Sequence, residues 1–162
     1  MKRAPELHGL SHDHNRGLVL ARALRRAARG ERPLQRAVSD LLAAWETELE
    51  PHFRAEEELL LPELARFVPA DDPLIVRTLV EHVALRRAVR ALAAAKGEAC
   101  RLLAAEIGQA LDDHIRFEER VLFPYVEATL PPAELAALGA ELGPTRAAAC
   151  RLPSERERPS GA

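Results

Sequence analysis

The chain has 162 residues, 48% of them hydrophobic, with Lys+Arg 23 against Asp+Glu 25 and a formal net charge of -2. That length suits one domain around a single substantial core, and the balanced charge leaves no basic excess to hold nucleic acid. No run of about 18 apolar residues offers a membrane span and the opening residues do not form a secretory leader, so a cytoplasmic protein is expected.

Ala, Leu, Arg and Glu dominate and β-branched residues are few, which predicts an all-α fold. The first helix is expected from Ser11, as N-cap, to Arg29, with Gly30 as its stop and His14, Leu18, Ala21, Leu24 and Ala28 inward. The second runs from about Pro33 to Leu61 on a stripe of Val38, Leu42, Trp45, Leu49, His52, Glu56 and Leu60. Pro51 lies inside it and predicts a kink just before His52. Asp72 and Pro73 open the third, which reaches Ala95 with Ile75, Leu79, His82, Leu85, Val89 and Leu92 on one face.

The fourth helix is expected from Glu98 to Thr129, with Leu103, Ile107, Leu111, His114, Glu118, Val121 and Tyr125 inward and Pro124 bending its end. A short fifth helix runs from Pro132 to about Leu142. Short connections between the four long helices predict an up-down-up-down four-helix bundle over residues 11–142. Residues 1–10 form an N-terminal segment, and 143–162, rich in Pro, Ser and Arg, a disordered tail.

One pattern occurs twice: HFRAEEELLLP at 52–62 and HIRFEERVLFP at 114–124. Each copy sets a His four residues before a Glu, so imidazole and carboxylate share one helix face a turn apart. In the expected topology His14 and His82 lie early in their helices, while His52, Glu56, His114 and Glu118 lie late in theirs. All six are therefore expected at one end of the bundle. A lone His on an apolar face is ordinarily a boundary residue with one hydrogen bond. Two carboxylates buried among four imidazoles without a cation would cost several kcal/mol each, and a metal site removes that cost.

Two six-coordinate ions need twelve ligand positions. Four imidazoles fill four, two bridging carboxylates four more and an oxo or hydroxo bridge two, leaving two open. Imidazole with carboxylate suits iron, manganese or zinc; a carboxylate-bridged pair in a helical bundle favours two non-haem irons, while zinc prefers four ligands.

The set His14, His52/Glu56, His82 and His114/Glu118, with LSHDHNRGLVLARAL and EEELLLP around it, resembles the hemerythrin-like (HHE cation-binding) family over about residues 10–128. The resemblance implies a four-helix bundle with a non-haem di-iron centre and roles in O2 binding, iron or oxygen sensing, reaction with NO or peroxide, or repair of damaged iron centres. Oxygen carriers of that family have a fifth His on the third helix, where Thr78 and Arg86 flank His82 here, and an Asp five residues after the last His, where this chain has Glu118 at four. A more open metal pair is therefore expected, one that senses or reacts with O2, peroxide or NO rather than carrying O2 reversibly. The readings kept beside it are a peroxide- or NO-consuming oxidoreductase or iron donor, and a structural metal-binding interaction module. A sensor would need a protein partner, since no output domain is evident.

His12 lies about 160° around the helix from His14 and is read as a surface residue, and His8 as a loop residue. Glu57, Glu58 and Glu119 are read as solvated, with pairing to Arg54 or Arg116 open. Tyr125 shares the Glu118 stripe, so core packing and a phenol serving the metal pair both stay open. Trp45 is expected to plug the core, Cys100 to be a buried thiol, and Cys150 to lie in the tail.

Overall fold

Pro5 starts the helical chain earlier than expected. In the computed structural model, which describes residues 3–149, a 3-10 turn at Pro5–Leu7 leads directly into helix α1 (His8–Ala28). Apolar burial drives this early start: Leu7 and Leu10 are fully buried, and proline's missing N–H costs nothing in a first turn. Ser11 is therefore not the N-cap, His8 is a helical residue, and helical structure begins at Pro5, within the segment expected to precede the bundle. α1 stops at Gly30, whose φ of 79° lies in the left-handed region that favours glycine.

Helix α2 is continuous through Leu34–Ala44, a π turn at Trp45–Leu49, Glu50–Ala55, a second π turn at Glu56–Leu60 and Leu61–Leu64. α3 is Pro73–Ala94, capped by Asp72 accepting the Leu74 N–H at 2.8 Å. α4 comprises Gly97–Phe117, a π turn at Glu118–Leu122 and Phe123–Thr129; α5 is Pro132–Ala149. α5 thus passes the expected end at Leu142, in keeping with the helix propensity of the alanines at 147–149. Cys150 and the rest of the expected tail lie outside the described residues.

The three π turns each end two residues before a proline: Pro51, Pro62 and Pro124. In each, the next N–H donates five residues back, as Glu50 does to Trp45 and Phe123 to Glu118, which widens the helix where a proline ring would crowd the carbonyl four back. The extra residue also rotates the helical turns beyond it. Past Glu118 the buried positions are Leu122, Phe123, Val126 and Leu130, while Val121, expected inward, is 44% exposed. On α3, Thr78 rather than Leu79 belongs to the buried face, and Leu79 is 39% exposed.

The five helices form a bundle in which α1 packs along α4 and against α2, and α3 along α4. The α1–α4 approach depends on two glycines. A Cβ at Gly108 would stand 2.8 Å from the Ala21 carbonyl oxygen, and one at Gly17 2.6 Å from Ile115 Cδ1. Two apolar clusters result, one built on Leu24, Leu41, Leu85 and Ile107, the other on Leu10, Leu60, Phe123 and Leu138. The second closes the bundle end that was expected to hold the six polar candidates, so these form an interior layer between clusters. Among the described residues no helix is long and apolar enough to cross a membrane.

Candidate metal centre

His14 comes from α1, His52 and Glu56 from α2, His82 from α3, and His114 and Glu118 from α4; all six are buried. Ligand atoms of His14, His52, Glu56 and Glu118 lie within 4.8 Å of one another, and so do those of Glu56, His82, His114 and Glu118. Both Glu belong to both groups. The spacing of four brings each His–Glu pair onto one face, and each Glu is the first residue of a π turn.

Every one of the four imidazoles turns Nδ1 toward a carboxylate. His14 meets Glu119 at 2.6 Å, His82 meets Glu57 at 2.7 Å, His114 meets Glu81 at 2.8 Å and His52 meets Asp13 at 3.4 Å. A carboxylate only accepts, so Nδ1 carries the N–H, and in the neutral ring Nε2 is left with its lone pair. Those Nε2 atoms face each other across the layer, His14 to His52 at 3.0 Å and His82 to His114 at 3.1 Å. Two lone pairs at that distance repel unless a proton or a cation lies near both.

The carboxylates point to the same need. Glu56 directs Oε1 to His52 Nε2 at 3.3 Å and Oε2 to His82 Nε2 at 3.4 Å. Glu118 directs Oε2 to His14 at 3.1 Å and Oε1 to His114 at 3.2 Å. All four oxygens are buried, and none has a partner in hydrogen-bond geometry. Each Glu thus offers one oxygen to the pair His14/His52 and one to the pair His82/His114. This donor set fits metal ions, which accept lone pairs from all of these atoms at once.

With protons instead of metal, burial disfavours the imidazolium, yet the carboxylates outweigh it. Glu56, with help from Asp13 and Glu118, holds His52 up at about 10, and Glu118, Glu56 and Glu57 hold His82 up at about 11. Burial likewise penalises the Glu56 carboxylate, but the neighbouring His52 and His82 hold it well below its ordinary value. Two aromatic rings line the layer: Phe53 stacks on His82 with centroids 3.9 Å apart, and Phe123 on His14 at 5.3 Å.

The four orienting carboxylates are the part that sequence reasoning missed. Glu57 and Glu119 are not simply solvated, and they pair with neither Arg54 nor Arg116, which instead engage Glu58 and Asp112. Arg86 holds Glu57 at 2.6 Å and Arg3 holds Glu119 at 2.9 Å, while Arg77 holds Glu81 at 2.7 Å. A signal did exist. An acid precedes His14 and His82 directly, and an acid follows Glu56 and Glu118 directly, so each half of the chain carries the same cassette.

Tyr125 is not drawn into the cluster. Rotated by the π turn, its hydroxyl donates to Asp72 at 3.1 Å. Trp45 is half-buried and meets Phe53 edge-on, Cys100 is buried, and His12 is exposed. Of the two positions flanking His82, Thr78 donates to the Leu74 carbonyl at 2.9 Å and Arg86 is committed to Glu50 and Glu57.

A family model, the hemerythrin HHE cation binding domain, matches residues 6–126. No curated protein and no solved structure matches the chain. The match covers most of the sequence and every residue of the buried layer, and the chain accordingly belongs to the hemerythrin HHE cation-binding domain family.

Proposed function

We propose that this protein is a non-haem di-iron protein whose centre senses or reacts with O2, peroxide or NO. The observation that carries the reading is the convergence of four imidazole lone pairs and four unpartnered carboxylate oxygens in one buried layer. His14 and His52 would hold one ion, His82 and His114 the other, and Glu56 and Glu118 would bridge them. The helix contacts and short connections support an up-down-up-down arrangement of α1 to α4 around that layer.

Iron held there supplies redox chemistry toward a small oxygen or nitrogen ligand. The chain's own residues do the rest. Glu119, Asp13, Glu57 and Glu81 fix the tautomer and direction of each imidazole, while Phe53 and Phe123 shield two of them from water. Thr78 and Arg86, each engaged elsewhere, supply no fifth His, which supports an open coordination position and hence reactivity over reversible carriage. As a sensor, the protein would act through a partner.

Metal analysis of protein purified without air tests this. About two irons per chain are expected, with near-ultraviolet bands that shift when azide is added. Glu56→Ala and Glu118→Ala should each lose iron, and retention of both irons by either variant would overturn the ligand assignment. A colourless protein holding zinc would overturn the di-iron reading. An O2 adduct formed in air and lost under vacuum over many cycles would count against the open, reactive centre.

A further inference from the structure

α3 is apolar on two faces. Its inner face carries Ile75, His82, Leu85 and Val89, but Val76, Val80 and Val83 line the opposite side, 43%, 61% and 65% exposed. With Leu79 they make up half of the large apolar side chains exposed among the described residues. A helix apolar on both sides has a second packing partner or leaves an apolar patch in water.

The spacing and the charges identify the partner. Positions 76, 80, 83, 87 and 90 follow the alternating three-four spacing of a helix-pairing seam, valine in the first half and arginine in the second. Asp71 lies just before the helix. Among the described residues the side chains of Asp71, Arg87 and Arg90 enter no hydrogen bond or ion pair. At 1.5 Å per residue, Asp71 stands about 13 Å from Val80 on one side, with Arg87 and Arg90 about 10 to 15 Å away on the other.

We propose that this face of α3 pairs with the same face of a second copy of the chain, antiparallel about a two-fold axis near Val80. That arrangement lays the valines of one copy on those of the other and brings Asp71 of each beside Arg87 and Arg90 of its mate. The chain's own C-terminal residues are a poorer occupant. Residues 150–162, RLPSERERPSGA in all but the initial Cys150, carry a single large apolar side chain and cannot cover the stripe. One helix-on-helix contact lies at the small end of interface sizes, so a weak, reversible association is expected.

Sedimentation velocity of the full-length protein from about 5 to 300 µM tests it, with a reversible monomer–dimer transition expected in that range. Val80→Glu sets two carboxylates against each other at the axis and should weaken association by about 30-fold or more. Its helix content, and its thermal midpoint at concentrations below the association range, should not change, because Val80 is mostly solvated in the single chain. Val83→Glu repeats the test on the next turn, and Val19→Glu, equally exposed on α1, should leave the dimer intact. Asp71→Arg should weaken association several-fold, and adding Arg90→Glu to it should restore it. A monomer at the highest concentration, a dimer indifferent to Val80→Glu, or a charge swap that fails to restore would each overturn the proposal.

Discussion

An imidazole that must offer Nε2 to a metal needs its proton held on Nδ1, and in this protein four acidic residues do that for four histidines. Glu57 illustrates the consequence. It accepts from His82 and is itself held by Arg86, so the ring is fixed in both tautomer and direction. Glu57→Ala should lower metal affinity by about 10- to 100-fold, measured by competition with a chromogenic chelator. Glu58→Ala, one residue along, removes only an exposed pair with Arg54 and should leave affinity within about twofold. Equal losses in the two variants would assign the effect to general charge rather than to the His82 contact. Arg3 does two tasks at once, since it holds the Glu119 side chain and also donates to the Glu119 backbone carbonyl at 2.6 Å. That carbonyl is five residues before Pro124, which has no N–H to give it.

Among the elements, α1 and α4 pack close together where two glycines stand, and the two differ in what surrounds them. A Cβ on Gly108 meets backbone, the Ala21 carbonyl oxygen, which cannot retreat without moving α1. A Cβ on Gly17 meets the end of the Ile115 side chain, which can rotate away. Gly108→Ala should therefore destabilise by about 1 to 3 kcal/mol despite its better helix propensity, lowering the thermal midpoint by several degrees. Gly17→Ala should cost clearly less, and the reverse order would mean that the helices are not held as close as described. The ligand spacing was legible in the sequence because a His and a Glu four apart on one helix share a face whatever the partner helix does. The π turns were not, because a proline inside an apolar stripe reads equally as a kink. Their extra residue is why Val121 and Tyr125 were expected where Leu122 and Val126 stand. The orienting acids were hidden for a different reason: each serves a histidine on another helix, so recognising them requires the rotation of two helices at once.

For the whole molecule, the layer sits between two apolar clusters, so the fold does not depend on metal alone and the metal-free protein should remain helical. Its stability should depend on pH in a particular sense. His52 and His82 are raised from 6.5 to about 10 and 11, so their contribution is complete below about pH 6.5 and is lost as pH rises through those values. Glu57 and Glu119 are lowered from 4.5 to about 2, so theirs is present above about pH 4.5 and lost on acidification toward 2. Metal-free protein should therefore be most stable near pH 5 to 6 and weaken toward pH 9. Metal reverses the trend, because it binds the same Nε2 atoms that the protons occupy and releases those protons as it binds. The gap between the thermal midpoints of iron-loaded and metal-free protein, measured without air, should widen steadily from pH 6 to pH 9. A gap that stayed constant would mean that metal and protons do not compete for these histidines, and the layer would then have to be read as a hydrogen-bonded core rather than a metal site.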